Sequence, residues 1–236
     1  MTNYILCGII NSKEIIHPSE VIPLKKSVYS LVLMDDVIKA VDREAYKRGT
    51  SRSDLINQIL AEQLSCVTPE MRMREIFGSV AELISSSFHI QQQRSASLMT
   101  LRTALEYKYR PTINYKVELE RVPSEYIGTL RVQIRTQSSV LKGLFNSFFT
   151  YRAGLESSAL AALGRDDYLC ELSDGCFSRR LINPSLDPEQ TGEAISCYVK
   201  DLDRSVQTYF AAPHDFQRYA PELAKDYTAM LERFIL

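Results

Sequence analysis

Residues 27–66 read SVYSLVLMDDVIKAVDREAYKRGTSRSDLINQILAEQLSC, and their reading decides the fold of the N-terminal part of the chain. Tyr29, Leu31 and Leu33 alternate with Val28, Ser30 and Val32, the period-two pattern of a half-buried strand. Asp35 and Asp36 follow where a helix cap is expected and suit the positive end of the helix dipole. The helix they begin carries Val37, Ile38, Val41 and Ala45 on one face, and Gly49 is placed to end it in the left-handed region. Ser51 is expected to start a second helix, with Leu55, Ile56, Ile59, Leu60 and Leu64 as its apolar face. One strand and two short helices cannot close a core, and an unpaired strand is not stable in water. A second copy supplying the partner strand solves both problems. The expected dimer core is Tyr29, Leu31, Leu33, Val37, Val41, Leu55, Ile56 and Ile59.

This segment resembles the ribbon-helix-helix fold of the CopG, Arc and MetJ class of repressors. The resemblance rests on the strand ending at Leu33, the acidic helix start, and above all the Gly-x-Ser-Arg-Ser turn (Gly49 to Ser53) before the aliphatic run at Leu55 and Ile56. It covers residues 27–66 alone. It implies a homodimer whose paired strands enter the DNA major groove, while the start of the second helix holds a backbone phosphate. The implied DNA-binding residues are Lys25, Lys26, Val28, Ser30 and Val32 in and before the ribbon, and Thr50, Ser51, Arg52 and Ser53 at the second helix. Family members put polar or basic side chains on the groove face. Here only Ser30 can hydrogen-bond a base, and Val28 and Val32 are limited to thymine methyl groups.

The chain has 236 residues, 45% hydrophobic and 24% charged, the composition of an ordinary globular protein of one large or two smaller domains. No apolar run is long enough to span a bilayer, and the N-terminus lacks the basic start of a signal peptide. The five cysteines are scattered, with no Cys-x-x-Cys pair, which fits idle thiols in a reducing cytoplasm. Net charge is −1, unevenly distributed. Residues 25–66 carry seven Lys/Arg against six Asp/Glu, residues 71–135 ten against six, and residues 164–236 eight against thirteen. Positive charge therefore sits in the first two thirds, which permits but does not require a nucleic-acid partner.

The expected fold class is α+β: an N-terminal strand-helix-helix unit that dimerises, followed by a mostly helical domain containing a β-hairpin. Residues 1–26 form an arm, or short strands packed on the dimer. Residues 27–66 are the DNA-binding and dimerisation domain. Residues 67–236 form a C-terminal domain for sensing or oligomerisation. Thr68-Pro69-Glu70 signals a helix start, with apolar residues from Met73 to Phe88. The pattern fades over Ser85–Ser95 and resumes at Leu98, Leu101, Ala104 and Leu105. Either two helices meet near Gln91 or one long helix has a polar middle. A hairpin spans about residues 113–135, where Ile113, Tyr115, Val117 and Leu119, then Leu130, Val132 and Ile134, alternate with polar residues. Its cross-strand charges are expected to be opposite in sign. Ser138 or Ser139 caps the next helix, which bears Val140, Leu141, Leu144, Phe145, Phe148 and Leu155. Residues 164–193 read as loop, and two helices, about 193–211 and 215–235, close the chain.

No phosphate loop, dinucleotide fingerprint or metal-ligand spacing is present, and His17, His89 and His214 lie far apart. Asp166, Asp167, Asp201 and Asp203 read as cap and surface acids, and Cys170 and Cys176 as idle thiols. The sequence thus offers no catalytic or metal residues and implies no cofactor, enzyme activity or membrane partner. The expected function is a bacterial, plasmid or phage transcriptional repressor that binds double-stranded DNA as a ribbon-helix-helix homodimer and reads base sequence or DNA shape. Higher oligomers through residues 67–236, and a protein partner or small-molecule effector there, are compatible with it. The alternative is an interaction protein, an antitoxin or a relaxosome or plasmid accessory factor, whose ribbon-helix-helix unit mainly dimerises.

Overall fold

A computed structural model of the chain describes residues 30–64, 66–91, 95–165 and 169–236. The first two elements are α1 (Asp35–Arg48) and α2 (Arg52–Gln63). The N-cap of α1 is Met34, with no side-chain cap bond. Asp35 and Asp36 lie instead inside the first turn, where they still suit the dipole. Gly49 ends α1 at φ +63°, a conformation open to glycine without strain, and its N–H closes on Ala45 and Tyr46. Ser51 caps α2: its Oγ accepts the Asp54 N–H at 3.1 Å and donates to the Asp54 carboxylate at 2.8 Å. The helices pack on each other through Ala45, Leu55 and Ala61, all buried.

The rest of the molecule is built on α3 (Pro69–Ile84), β1 (His89–Gln91), β2 (Leu98–Ala104), β3 (Thr112–Leu119), β4 (Tyr126–Ile134), α4 (Ser139–Ala162), β5 (Cys170–Ser173), β6 (Cys176–Ile182), α5 (Pro188–Ala211), a 3-10 turn (Pro213–Asp215) and α6 (Phe216–Arg233). The strands form one antiparallel sheet in the order β1-β2-β3-β4-β6-β5. One face of it packs against the helices. Leu101, Tyr115, Val132 and Phe177 join Ile76, Val80, Phe148, Val199 and Tyr227 in a single apolar core that runs from Met73 to Leu236. Phe149 stacks on Phe177 with centroids 4.5 Å apart, which ties α4 to β6. Helices α3 and α5 touch closely at Gly192, where a Cβ would lie 2.7 Å from the Ile76 carbonyl oxygen.

The β3–β4 hairpin lies where its alternation places it, and Ser138 is the α4 cap. Three expectations need correction. Residues 98–105 are not helical: β2 pairs with β3 along its whole length and buries Met99 and Leu101. Leu98, Leu101 and Leu105 fit a helical period, but Met99, Leu101 and Thr103 fit period two equally well, and the neighbouring strand decides between them. Residues 164–193 hold the β5–β6 hairpin, turned at Asp174-Gly175 with Gly175 at φ +69°, and α5 begins already at Pro188 under the Asp187 cap. The C-terminal part therefore keeps long helices but sets them on a six-stranded sheet, where a single hairpin was expected. The cross-strand charges in the hairpin are not opposite either: Lys116 faces Arg131, and Glu118 faces Thr129. A slip of two residues keeps every side chain on its face while exchanging its partner, so alternation fixes the face but not the charge pairing.

Candidate nucleic-acid interface

Of the residues expected to touch DNA, Lys25, Lys26 and Val28 lie outside the described residues, as does Tyr29 of the expected dimer core. Ser30, Leu31, Val32 and Leu33 are exposed, and they belong to none of the six strands described. Val32 is fully exposed, Leu31 is 61% exposed, and Leu33 with Val37 38%. On α2, Ile59 is 42% and Leu60 46% exposed, Ile56 is half-buried, and Leu55 is fully buried. Val41 is half-buried. More than half of the large apolar side chains exposed among the described residues fall between Leu31 and Val67.

The turn between the helices collects the expected phosphate-binding groups. Thr50 is half-buried, while Ser51, Arg52 and Ser53 are exposed at the positive end of α2. Arg52 is not free: its Nη2 donates to the Asp42 carboxylate of α1 at 2.7 Å. This exposed ion pair bridges the two helices and contributes little stability in water. A phosphate at the start of α2 would compete with Asp42 for the guanidinium. Ser51 Oγ is engaged with Asp54, and its role as helix cap explains its position without any ligand.

A second polar constellation, not among the expected site residues, lies buried between α4, β6, α5 and α6. Glu156 accepts from Arg152 Nε at 2.6 Å, Arg179 Nε at 2.5 Å and the Tyr198 hydroxyl at 2.7 Å. Arg179 also donates to the Leu236 oxygen, and Arg152 Nη1 stands 2.9 Å from an Asp201 carboxylate oxygen. Arg152, Glu156, Arg179 and Tyr198 are each 1% exposed. Burial pushes the Glu156 carboxyl up, but Arg179 and Arg152 together outweigh it and hold the group below the ordinary glutamate value. For Asp201 and Asp203 burial prevails and raises both, although Tyr115 and Thr103 donate to Asp203 at 2.8 and 2.9 Å. These two acids are therefore not surface groups. The signal was present but weak: Leu141, Phe145, Phe148, Arg152 and Glu156 continue one helical stripe, and a charged pair inside an apolar stripe points inward. Cys170 pairs with Arg179 and Cys176 with Ser173, so the two thiols lie three positions apart in the β5–β6 register. Burial pushes the Cys170 thiol up to about 12, which makes it unreactive. A cleft of about 420 Å³ between α5 and α6 reaches Asp201, and along it Arg204 pairs with Asp226 and Arg233 with Glu193.

No family model, curated protein or solved structure matches this chain. Among the described residues, no helix is long and apolar enough to cross a membrane.

Proposed function

We propose that the protein is a DNA-binding regulator of the repressor type that acts as a ribbon-helix-helix homodimer, with residues 67–236 serving as a sensing or oligomerising domain. The observation that carries this reading is the exposed apolar surface of Leu31, Leu33, Val37, Ile59 and Leu60 around the helix pair joined at Gly49 and Ser51. A second copy would cover that surface and pair the two Leu31–Leu33 segments. The opposite edge of each segment, with Ser30 and Val32, would then face the major groove. Thr50, Ser51, Arg52 and Ser53 would meet a phosphate, with Arg52 leaving Asp42 to do so.

Selection from random duplexes tests this reading. Wild type is expected to enrich a two-fold symmetric site. Arg52→Ala and Lys26→Ala should weaken binding on all sequences alike, each lowering the salt slope by about one unit, whereas Ser30→Ala should change site preference. If wild type enriches no site, the proposal fails. The Arg52–Asp42 pair and the apolar Val32 favour a second reading, in which the helix pair only dimerises and the protein is an interaction factor of the antitoxin or plasmid-accessory kind. Dimers that bind duplex DNA with no dependence on Arg52 would select it.

A further inference from the structure

We propose that the sheet face turned away from the helices is a separate binding track for the phosphodiester backbone of nucleic acid. This goes beyond the ribbon and does not depend on it. Alternation along the strands places Arg102 (β2), Lys116 (β3), Arg131 (β4) and Arg180 (β6) on this face, opposite to the buried Leu101, Tyr115, Val132 and Arg179. The register orders them. Arg102 pairs with Asn114, one row from Lys116; Lys116 pairs directly with Arg131; Arg180 pairs with Thr129, one row beyond Arg131 on the other side. The four cations form a diagonal that advances one strand at each step. With strands about 4.8 Å apart and about 3.4 Å per residue, it spans about 20 Å.

Several features of this diagonal point to an anionic ligand. Among the described residues, neither Arg102 nor Lys116 nor Arg131 has a carboxylate partner. Lys116 and Arg131 are like charges directly across a strand pair, an arrangement that destabilises a sheet unless an anion lies between them. Arg180 stands over the Tyr126 ring at 3.7 Å from its centroid, which holds the guanidinium flat at the end of the track. Beside the track, Asn114 is 4% exposed and its Oδ1 has no hydrogen-bond partner; Arg102 Nε is also buried without one. The face carries no exposed large apolar side chain among the described residues, so it lacks the means to insert into a membrane. Glu118 flanks the track beside Thr129 and limits its strength.

The test uses the full chain, with Lys116→Gln/Arg131→Gln as the variant and Arg218→Gln/Lys225→Gln, exposed on α6, as a charge-matched control. Binding to a labelled single strand and a labelled duplex, both of random sequence, is followed by fluorescence anisotropy across a salt series. The track variant is expected to bind roughly ten-fold more weakly or worse, with the salt slope reduced by about 1.4 on a single strand or about 1.8 on a duplex. Its melting temperature should equal or exceed that of wild type, because the mutual repulsion is gone. The probe that loses affinity identifies the form of nucleic acid bound. Unchanged affinity and slope on both probes, an equal loss in the control, or a wild type that binds neither probe would overturn the proposal. Arg52→Ala, measured in the same series, separates the track from the ribbon, since each can fail alone.

Discussion

Replacing Glu156 with Gln removes one charge from the buried cluster while keeping its shape. In the wild type this carboxylate neutralises two guanidinium groups, Arg152 and Arg179, at the centre of the helix-covered core. The amide can still accept from one arginine or from Tyr198, but Arg152 would keep only the partly solvated Asp201 and Arg179 would lose its Glu156 carboxylate. Breaking a buried ion pair by removing one partner costs about 3–5 kcal/mol, and in a domain of this size each kcal/mol lowers Tm by about 2–4 °C, so a fall of about 10–15 °C is expected. Calorimetry at neutral pH measures it. Because Arg179 and Arg152 hold the Glu156 carboxyl below its unfolded value, its stabilisation is complete above the ordinary glutamate range and is lost as pH falls through the folded value. The gap between wild type and Glu156→Gln should therefore close in acid. A triple replacement, Arg152→Met/Glu156→Leu/Arg179→Met, leaves no buried charge from the triad and is expected to recover much of the loss. A Glu156→Gln protein melting within about 2 °C of wild type at neutral pH would refute the reasoning, since the cluster would then bear none of the charge balance assigned to it.

Leu33→Asp should dissociate or unfold the proposed dimer, because the carboxylate would enter the shared core without a partner; sedimentation at a range of concentrations checks this, and a folded, dimeric variant would rule out the strand pairing. Gly192→Val places side-chain atoms against the Ile76 carbonyl and Ser79, and should cost about 1–3 kcal/mol by prising α3 from α5, measurable by urea denaturation. Cys170 should resist alkylation in the native protein at mildly alkaline pH, where its thiol stays protonated, while exposed Cys66 reacts; mass spectrometry of the modified peptides distinguishes them.

The local grammar of the chain was enough to place the pair α1–α2, the Gly49 turn, the Ser51 cap, the Thr68-Pro69 start of α3 and the β3–β4 hairpin, because each is governed by nearest-neighbour sterics and by one clear apolar period. The β5–β6 hairpin around Asp174-Gly175 was read as loop, because its short strands carry too few apolar residues to show a period. Residues 98–105 show the opposite limit. Their apolar positions fit helix and strand alike, and only pairing with β3 chose the strand. Charge followed the same division. That Lys116 and Arg131 point away from the core follows from alternation, but that they face one another depends on a register no single strand contains. The burial of Arg152, Glu156, Arg179 and Asp201 depends likewise on four elements meeting, since a charged residue is tolerated inside only where distant partners supply its opposite charge and hydrogen bonds.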